Sequence, residues 1–516
     1  MPTIISHSLP ADHVAPDALL GIPRQQSNPS RWQGGQWHEF VQALQQVGID
    51  IQQQAHSTGI YITDAGGLAH GLPHGVVIAQ SAEQIASLMQ TAQRFAVPVT
   101  TRGGGLTTEG ESVAFGGVLL DMTGMSRVLE VDHKALTVRT QAGIFWHHLA
   151  EELRRDGLDY LSAPLNLTSS VGGTLGVGGI DVNSSKHGCS ADQALALQVV
   201  TPTGEIVECS DAMNHALFER VILGYGQFGI ITEALLKIRP YTPLRMHYFY
   251  YNSLHPCVED LLMLDRSESC DYTGILTMMD SAITLLVAFD SVERETAFMA
   301  QMKGGLRGYG EFMFALRLAA SFILRPWAWK EALFLLQRKR ELFPDLQPVH
   351  HMQDGVMYDR TAVFSKAVWK HWGERQMVIP DLATSADKFI EAVERGNAVC
   401  RNYFPYYTLY CVGIRLRADH QAHYELSSIP SDAQGWAYGC EFEPMYNGQE
   451  YSRDTLQSFK NDIYDVGVEL ETSYYRFGGM MKGYIRRALG DAVVEKHLKL
   501  KQQADPAMIL NRDVIF

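Results

Sequence analysis

The stretch that most limits what this chain can fold into is "GVVIAQSAEQIASLMQTAQRFAVPVTTRGGG", residues 75–105. Val76 to Ala79 form a short apolar run. Ile85, Leu88, Met89 and Ala92 then recur on one helical face. Val97 to Thr101 are mostly β-branched and lead straight into three glycines. Strand, helix, strand and glycine-rich loop predict an α/β unit with a ligand near the strand ends.

Bare backbone continues past that loop, at Gly110, Gly116 and Gly117, and returns in "SSVGGTLGVGG", residues 169–179. Without side chains, several amide N–H groups can approach a diphosphate closely, and no lysine is needed. One such cluster would read as tight turns; two in one α/β unit point to a phosphate-bearing cofactor. "GYGQFG" at Gly224 to Gly229 fits GxGxxG in letters alone. A helical pattern precedes it and a strand pattern follows, the reverse of a dinucleotide fingerprint. No GxxxxGK[ST] occurs.

Composition narrows the function classes. The formal net charge of −14 repels nucleic acid and anionic membrane, and no basic stripe reverses it. The 7 cysteines are widely spaced without a CxxC, which argues against a zinc site or a disulfide framework. The N-terminus has no basic start with an apolar run behind it, and no charge-free stretch has spanning length. The expectation is a cytoplasmic protein without stable membrane insertion and without a metal.

Residues 1–35, rich in Pro, Ser, Gln and Gly, read as an arm. The helical and strand patterns then tighten over 36–240. "ALALQVVTPTGEIVEC" is expected to be a hairpin turning at "PTG". Over 241–465 glycine thins, and strand-like runs alternate with helix-like ones. The tail, 466–516, reads as strand, loop, helix and an extended end.

The residues then match a family. "VPVTTRGGGLTTEGESVAFGGVLLDM" resembles the flavin loop of the vanillyl-alcohol oxidase/p-cresol methylhydroxylase (PCMH-type) superfamily. "SSVGGTLGVGGIDVNSSKHGCSADQALALQVVTPTGEIVECS" is similar to its second flavin loop. "NHALFERVILGYGQFGIITEALLKIRP" resembles its third signature and "DPAMILNRDVIF" its ending, in the manner of the cytokinin dehydrogenase branch. The resemblance implies an α+β, two-domain PCMH-type FAD-binding fold with an inserted α+β substrate (cap) domain at 241–465. The tail would return to the FAD domain. It places Arg102, Gly103, Gly104, Gly105, Leu106, Thr107 and Gly110 along the cofactor. Ser170, Gly172, Gly173, Thr174 and Gly176 would lie on its other side, with His187 beside them. Gly226, Gly229 and Ile230 would approach the adenine end.

Two departures matter. Leu106 stands where many relatives carry a flavin-linking histidine, and Thr168, Ser169 and Ser170 stand where others carry a linking cysteine. His187 and Cys189 lie in a different motif, so FAD is expected to bind noncovalently. Leu165 and Ser170 occupy the positions where relatives place a catalytic aspartate. "SYYRFGG" resembles the Tyr-Arg pair that holds a phenolate in phenol-oxidising members, which gives Tyr475 and Arg476 as catalytic candidates. Weaker candidates are His350, His351, Glu441 and Glu443. The apolar run Leu316 to Phe343 reads as cap helices, a homodimer contact or a membrane-surface contact.

The resemblance implies an FAD-dependent oxidase or dehydrogenase. It would take hydride from a small amine, alcohol or phenol and pass electrons to O2 or another acceptor. The alternatives are a flavin-dependent reductase or desaturase acting on a C=C bond, and a flavoprotein that has lost catalysis.

Overall fold

The computed structural model describes residues 34–301, 308 and 378–516, apart from 182, 243, 279–281, 406, 417–423, 425, 428, 445–450, 477, 479–480, 513 and 515–516. His350, His351, the run 316–343 and most of the expected arm lie outside the described residues.

Three sheets organise the described residues. The first is parallel, in the order β1 (Gly75–Ile78), β3 (Val118–Asp121), β2 (Val99–Arg102). Its crossover helix, Ala82–Phe95, buries the expected face of Ile85, Leu88, Met89 and Ala92. Ser81 caps the helix by accepting from the Gln84 amide at 3.2 Å. The helix stops at Ala96, which adopts the left-handed conformation at φ 50°. Glycines follow where β2 ends, as the pattern predicts.

The second sheet runs β4 (Val128–Asp132), β5 (Thr137–Gln141), β9 (Ile230–Pro240), β7 (Ala194–Val200), β8 (Ile206–Ser210), with β6 (Leu158–Tyr160) on β9. Strands β7 and β8 form the expected hairpin, and Gly204 supplies its positive φ of 82°. "GYGQFG" lies between the helix His215–Val221 and β9, the order that excludes a dinucleotide fingerprint.

The third sheet is antiparallel, in the order β10 (Arg245–Tyr251), β12 (Ala282–Phe289), β11 (Tyr272–Met278), β14 (Tyr407–Arg415), β15 (Trp436–Pro444), β13 (Asp381–Thr384). Its alternation is legible in burial. Leu409, Cys411, Cys440 and Phe442 are all 0% exposed, on the face covered by helices Leu254–Ser267 and Ala386–Tyr403. The opposite face carries Leu276, Thr408, Tyr410, Glu441 and Glu443, all half-buried.

The start of the tail departs from expectation. Instead of a strand near 466, the helix Arg453–Glu469 continues, because Leu456, Phe459, Ile463 and Val466 keep helical spacing and bury together. Ser473 then makes an isolated bridge to Ala383. The chain end returns to the first sheet, where the Val99 amide donates to Ile509 O and the Asn511 amide to Val99 O, both at 2.9 Å. No helix among the described residues is long and apolar enough to cross a membrane.

Candidate active site

The two long glycine loops meet. A Cβ at Gly103 would stand 2.0 Å from Ser170 Oγ, and one at Gly104 would stand 2.6 Å from Thr168 O. Gly103 and Gly104 therefore let one loop press against the other, a cause for bare backbone separate from the expected one. Gly172 is pressed the same way against Ala142, and its amide donates to Ala142 O at 2.7 Å. Gly229 abuts Val199, while Ile230 is 3% exposed and paired with Val200 in the sheet. These three brace the loops with groups already in use.

The first loop differs. From Gly103 to Thr108 the backbone N–H groups have no hydrogen-bond partner among the described residues. The next amides are taken: Glu109 donates to Glu111 Oε2 at 2.9 Å and Gly110 to Asp64 Oδ2 at 2.8 Å. Unpaired backbone donors are costly unless something accepts from them. A run of them in a tight glycine turn suits a diphosphate. On this observation the residues fit the phosphate-bearing cofactor. Gly176 adds open approach, since nothing lies within 4 Å of a Cβ placed there.

Several expected ligand residues act as struts. Arg102 donates through Nη1 to Thr63 O at 2.9 Å and Ser112 O at 3.3 Å, and its guanidinium lies over the Tyr61 ring. Gly105, at φ 69°, passes so close that a Cβ would strike that guanidinium. Thr107 donates to Asp64 Oδ2 at 2.9 Å. Ser170 caps the short helix Val171–Val177 by accepting from Gly173 N at 3.3 Å. Thr174 accepts from Trp146 Nε1 at 2.9 Å. Gly226 accepts at its carbonyl from Asn511 Nδ2 at 2.8 Å, and the Thr101 amide donates to Asn511 Oδ1 at 2.9 Å. One tail residue thus ties the first loop to the third.

His187 is half-buried, its Nε2 3.4 Å from the Tyr272 hydroxyl. Desolvation, then Arg239 and Lys186, lowers its pKa to about 4, so it stands neutral. Cys189 is fully buried, and burial pushes its thiol well up. Leu106 is half-buried in the first loop.

The tail pair reaches the second loop and the third sheet together. Tyr475 Oη accepts from the Gly179 amide at 2.6 Å, and the Tyr475 amide donates to Asp381 Oδ1 at 2.7 Å. Arg476 donates through Nε and Nη2 to Asp381 Oδ2, both at 3.4 Å, and Nη2 lies 4.0 Å from Glu441 Oε1. Asp381 is the residue that motif reading missed. It opens β13 behind Ile379 and Pro380, with no motif around it; only its place in the register finds it. Leu276 pairs with Tyr410, Tyr410 with Glu441, and Glu441 with Asp381, so one row crosses four strands on the half-buried face. The Tyr410 hydroxyl donates to Asp181 Oδ1 at 2.8 Å, fastening this row to the segment after the second loop.

Desolvation raises the Asp381 carboxyl to about 7; Arg476 opposes the shift and Glu441 adds to it. Burial also raises Glu441 and the Tyr475 phenol. Arg476 is half-buried; desolvation lowers its pKa, but Asp381 and Glu441 outweigh that and hold it above the usual arginine value. A carboxylate poised near neutrality beside a fixed cation, a tyrosine and a glycine loop can accept a proton at ordinary pH.

Comparison with known proteins bears on the part of the chain that carries the first two glycine loops. An FAD binding domain matches residues 73–210. Cytokinin dehydrogenase 3 of Arabidopsis thaliana is 31% identical over 261 residues, 49% of this chain and 49% of that protein. D-lactate dehydrogenase of Anaerostipes hadrus is 32% identical over 174 residues, 33% of this chain and 37% of that protein. The chain thus spans about half the length, or less, of these curated relatives. Among solved structures, an alkyldihydroxyacetonephosphate synthase superposes with a TM-score of 0.65 at 15% identity, over 92% of this chain and 85% of that one. That likeness shows the two-domain α+β fold with its inserted cap. The match over residues 73–210 shows an FAD-binding domain in this chain, in keeping with the resemblance of its glycine loops to those of the vanillyl-alcohol oxidase/p-cresol methylhydroxylase superfamily.

Proposed function

We propose that this protein is an FAD-dependent oxidoreductase that oxidises a small organic amine, alcohol or phenol held between the second glycine loop and the row on the cap sheet. In this reading residues 36–240 and 466–516 form the FAD unit and 241–465 the cap. FAD, when bound, supplies a hydride acceptor at N5. The donor's N–H or O–H proton goes to Asp381. Arg476 orients that carboxylate, and Tyr475, whose oxygen accepts from Gly179, turns its own proton toward the donor. Oxygen or another acceptor then takes the electrons.

Cofactor binding here needs no covalent bond. Leu106 has no nucleophile, the Cys189 thiol is sealed, and His187 is engaged with Tyr272. The observation that carries the functional reading is Asp381, a buried carboxyl held to about 7 within reach of Arg476 and Tyr475.

The test is anaerobic mixing of the FAD-loaded protein with a panel of amines, alcohols and phenols, following loss of the oxidised flavin spectrum. At least one class should bleach it. The rate should rise with pH through about 7 as Asp381 ionises. Asp381→Asn should slow reduction by about 10²-fold or more, lose that pH limb and keep its FAD. An unbleached flavin across the panel, or an unaltered pH limb in the variant, would sink the proposal.

A further inference from the structure

Arg476 is the cation of the candidate site, and in isolation a buried guanidinium would draw carboxylate or phenolate donors. Its surroundings reverse that expectation. Asp381 Oδ2 stands 3.4 Å from Nη2 and Glu441 Oε1 stands 4.0 Å away. Along the open face of the cap sheet the next groups are also acidic. Tyr410 donates to Asp181 at 2.8 Å, and Thr408 donates to Glu443 Oε2 at 3.0 Å. The Arg476 charge is already matched twice, by side chains on two neighbouring strands.

We propose that Glu441 sets the charge preference of the site: the donor is one without negative charge, an amine or an alcohol, while carboxylate- and phenolate-bearing donors are turned away. This rests on the function proposed above and narrows it. Glu441 fits the role by position. It sits between Tyr410 and Asp381 in the row that crosses four strands, on the half-buried face, while its strand neighbours Cys440 and Phe442 point into the sealed core. An anion entering between Tyr475 and this row meets carboxylates on β13 and β15 and a guanidinium that both already hold. A neutral donor meets no such repulsion, and an ammonium is attracted. Glu441 acts on specificity through charge, whereas Asp381 handles the proton. The half-buried Tyr410, Tyr475 and Leu276 suit an aryl group, which fixes the choice of probes.

The experiment titrates the FAD-loaded protein with benzylamine and with benzoate at one ionic strength and neutral pH, reading the flavin absorption band. Benzylamine should bind at least tenfold more tightly than benzoate. Glu441→Gln should tighten benzoate at least fivefold and weaken benzylamine. A gain in anion affinity cannot come from a damaged fold. Equal affinity for the two probes, a flavin silent to both, or benzoate binding unmoved by the substitution would each overturn the proposal. Failure of the oxidation reading is separable: the probes would still bind in their charge order while no donor bleached the flavin.

Discussion

Glu111 shows how one residue can tie the first glycine loop to pH. Its carboxyl is enclosed in the first glycine loop, with Oε2 accepting from the Glu109 amide and Oε1 buried without a partner. Burial first, then the charges of Asp64 and Glu109, raise its pKa from 4.5 to about 8. The folded chain therefore holds this proton more tightly than the unfolded chain. Its contribution is fully present below about 4.5 and is lost progressively as pH rises to about 8. Over that window one proton difference costs about 1.4 kcal/mol per pH unit. Glutamine has nearly the same shape and cannot ionise. Glu111→Gln should thus lose less stability than the parent between mildly acidic and mildly alkaline buffer, read from urea midpoints at the two ends. Parallel losses in both proteins would show that Glu111 is not the group responsible.

At the level of elements, the helix Arg453–Glu469 locks onto the first glycine loop. Lys460 Nζ reaches Glu109 Oε2 at 2.7 Å and the Tyr464 hydroxyl reaches Glu109 Oε1 at 2.9 Å, with Lys460 1% and Glu109 2% exposed. A buried pair is costly to break from one side, because the remaining charge stays enclosed. Lys460→Met should destabilise the protein by about 3 kcal/mol. Adding Glu109→Gln should recover part of that loss, since the stranded charge goes with it. A double variant no more stable than the single one in chemical denaturation would contradict this account. The elements differ in how far they could be read from the sequence. The crossover helix shows its face through Ile85, Leu88, Met89 and Ala92, and the β7–β8 hairpin through its turn. Tyr475 and Arg476 were legible as a motif. Their partner Asp381 was not, because antiparallel register across four strands, and no sequence spacing, sets it beside Glu441. Lys460 and Glu109 are 351 positions apart, which hides their pairing in the same way. The glycine clusters were legible in the sequence, but the contact of Gly103 and Gly104 with Ser170 and Thr168 needs the tertiary structure.

Across the described residues, distant segments converge on the glycine loops. Lys501, 0% exposed, donates to Gln227 O at 2.6 Å and Leu510 O at 2.7 Å, so the tail supports the third loop. Lys186, close behind the second loop, reaches Asp271 Oδ1 at 2.7 Å and Asp290 Oδ2 at 2.5 Å at the ends of β11 and β12 of the third sheet. In the first loop, the amides from Gly103 to Thr108 have no hydrogen-bond partner among the described residues. FAD held by such contacts alone, without a bond at Leu106, is linked to folding by mass action. It stabilises the folded state according to its free concentration, by about 2.7 kcal/mol at one hundred times its dissociation constant. A covalently attached flavin would show no such dependence. The expected results are that acid precipitation leaves the yellow colour in the supernatant and that added FAD raises the melting temperature of the stripped protein in a concentration-dependent way. Colour retained in the washed pellet would mean that a residue other than Leu106 forms the bond, and the noncovalent reading of the loop would fall.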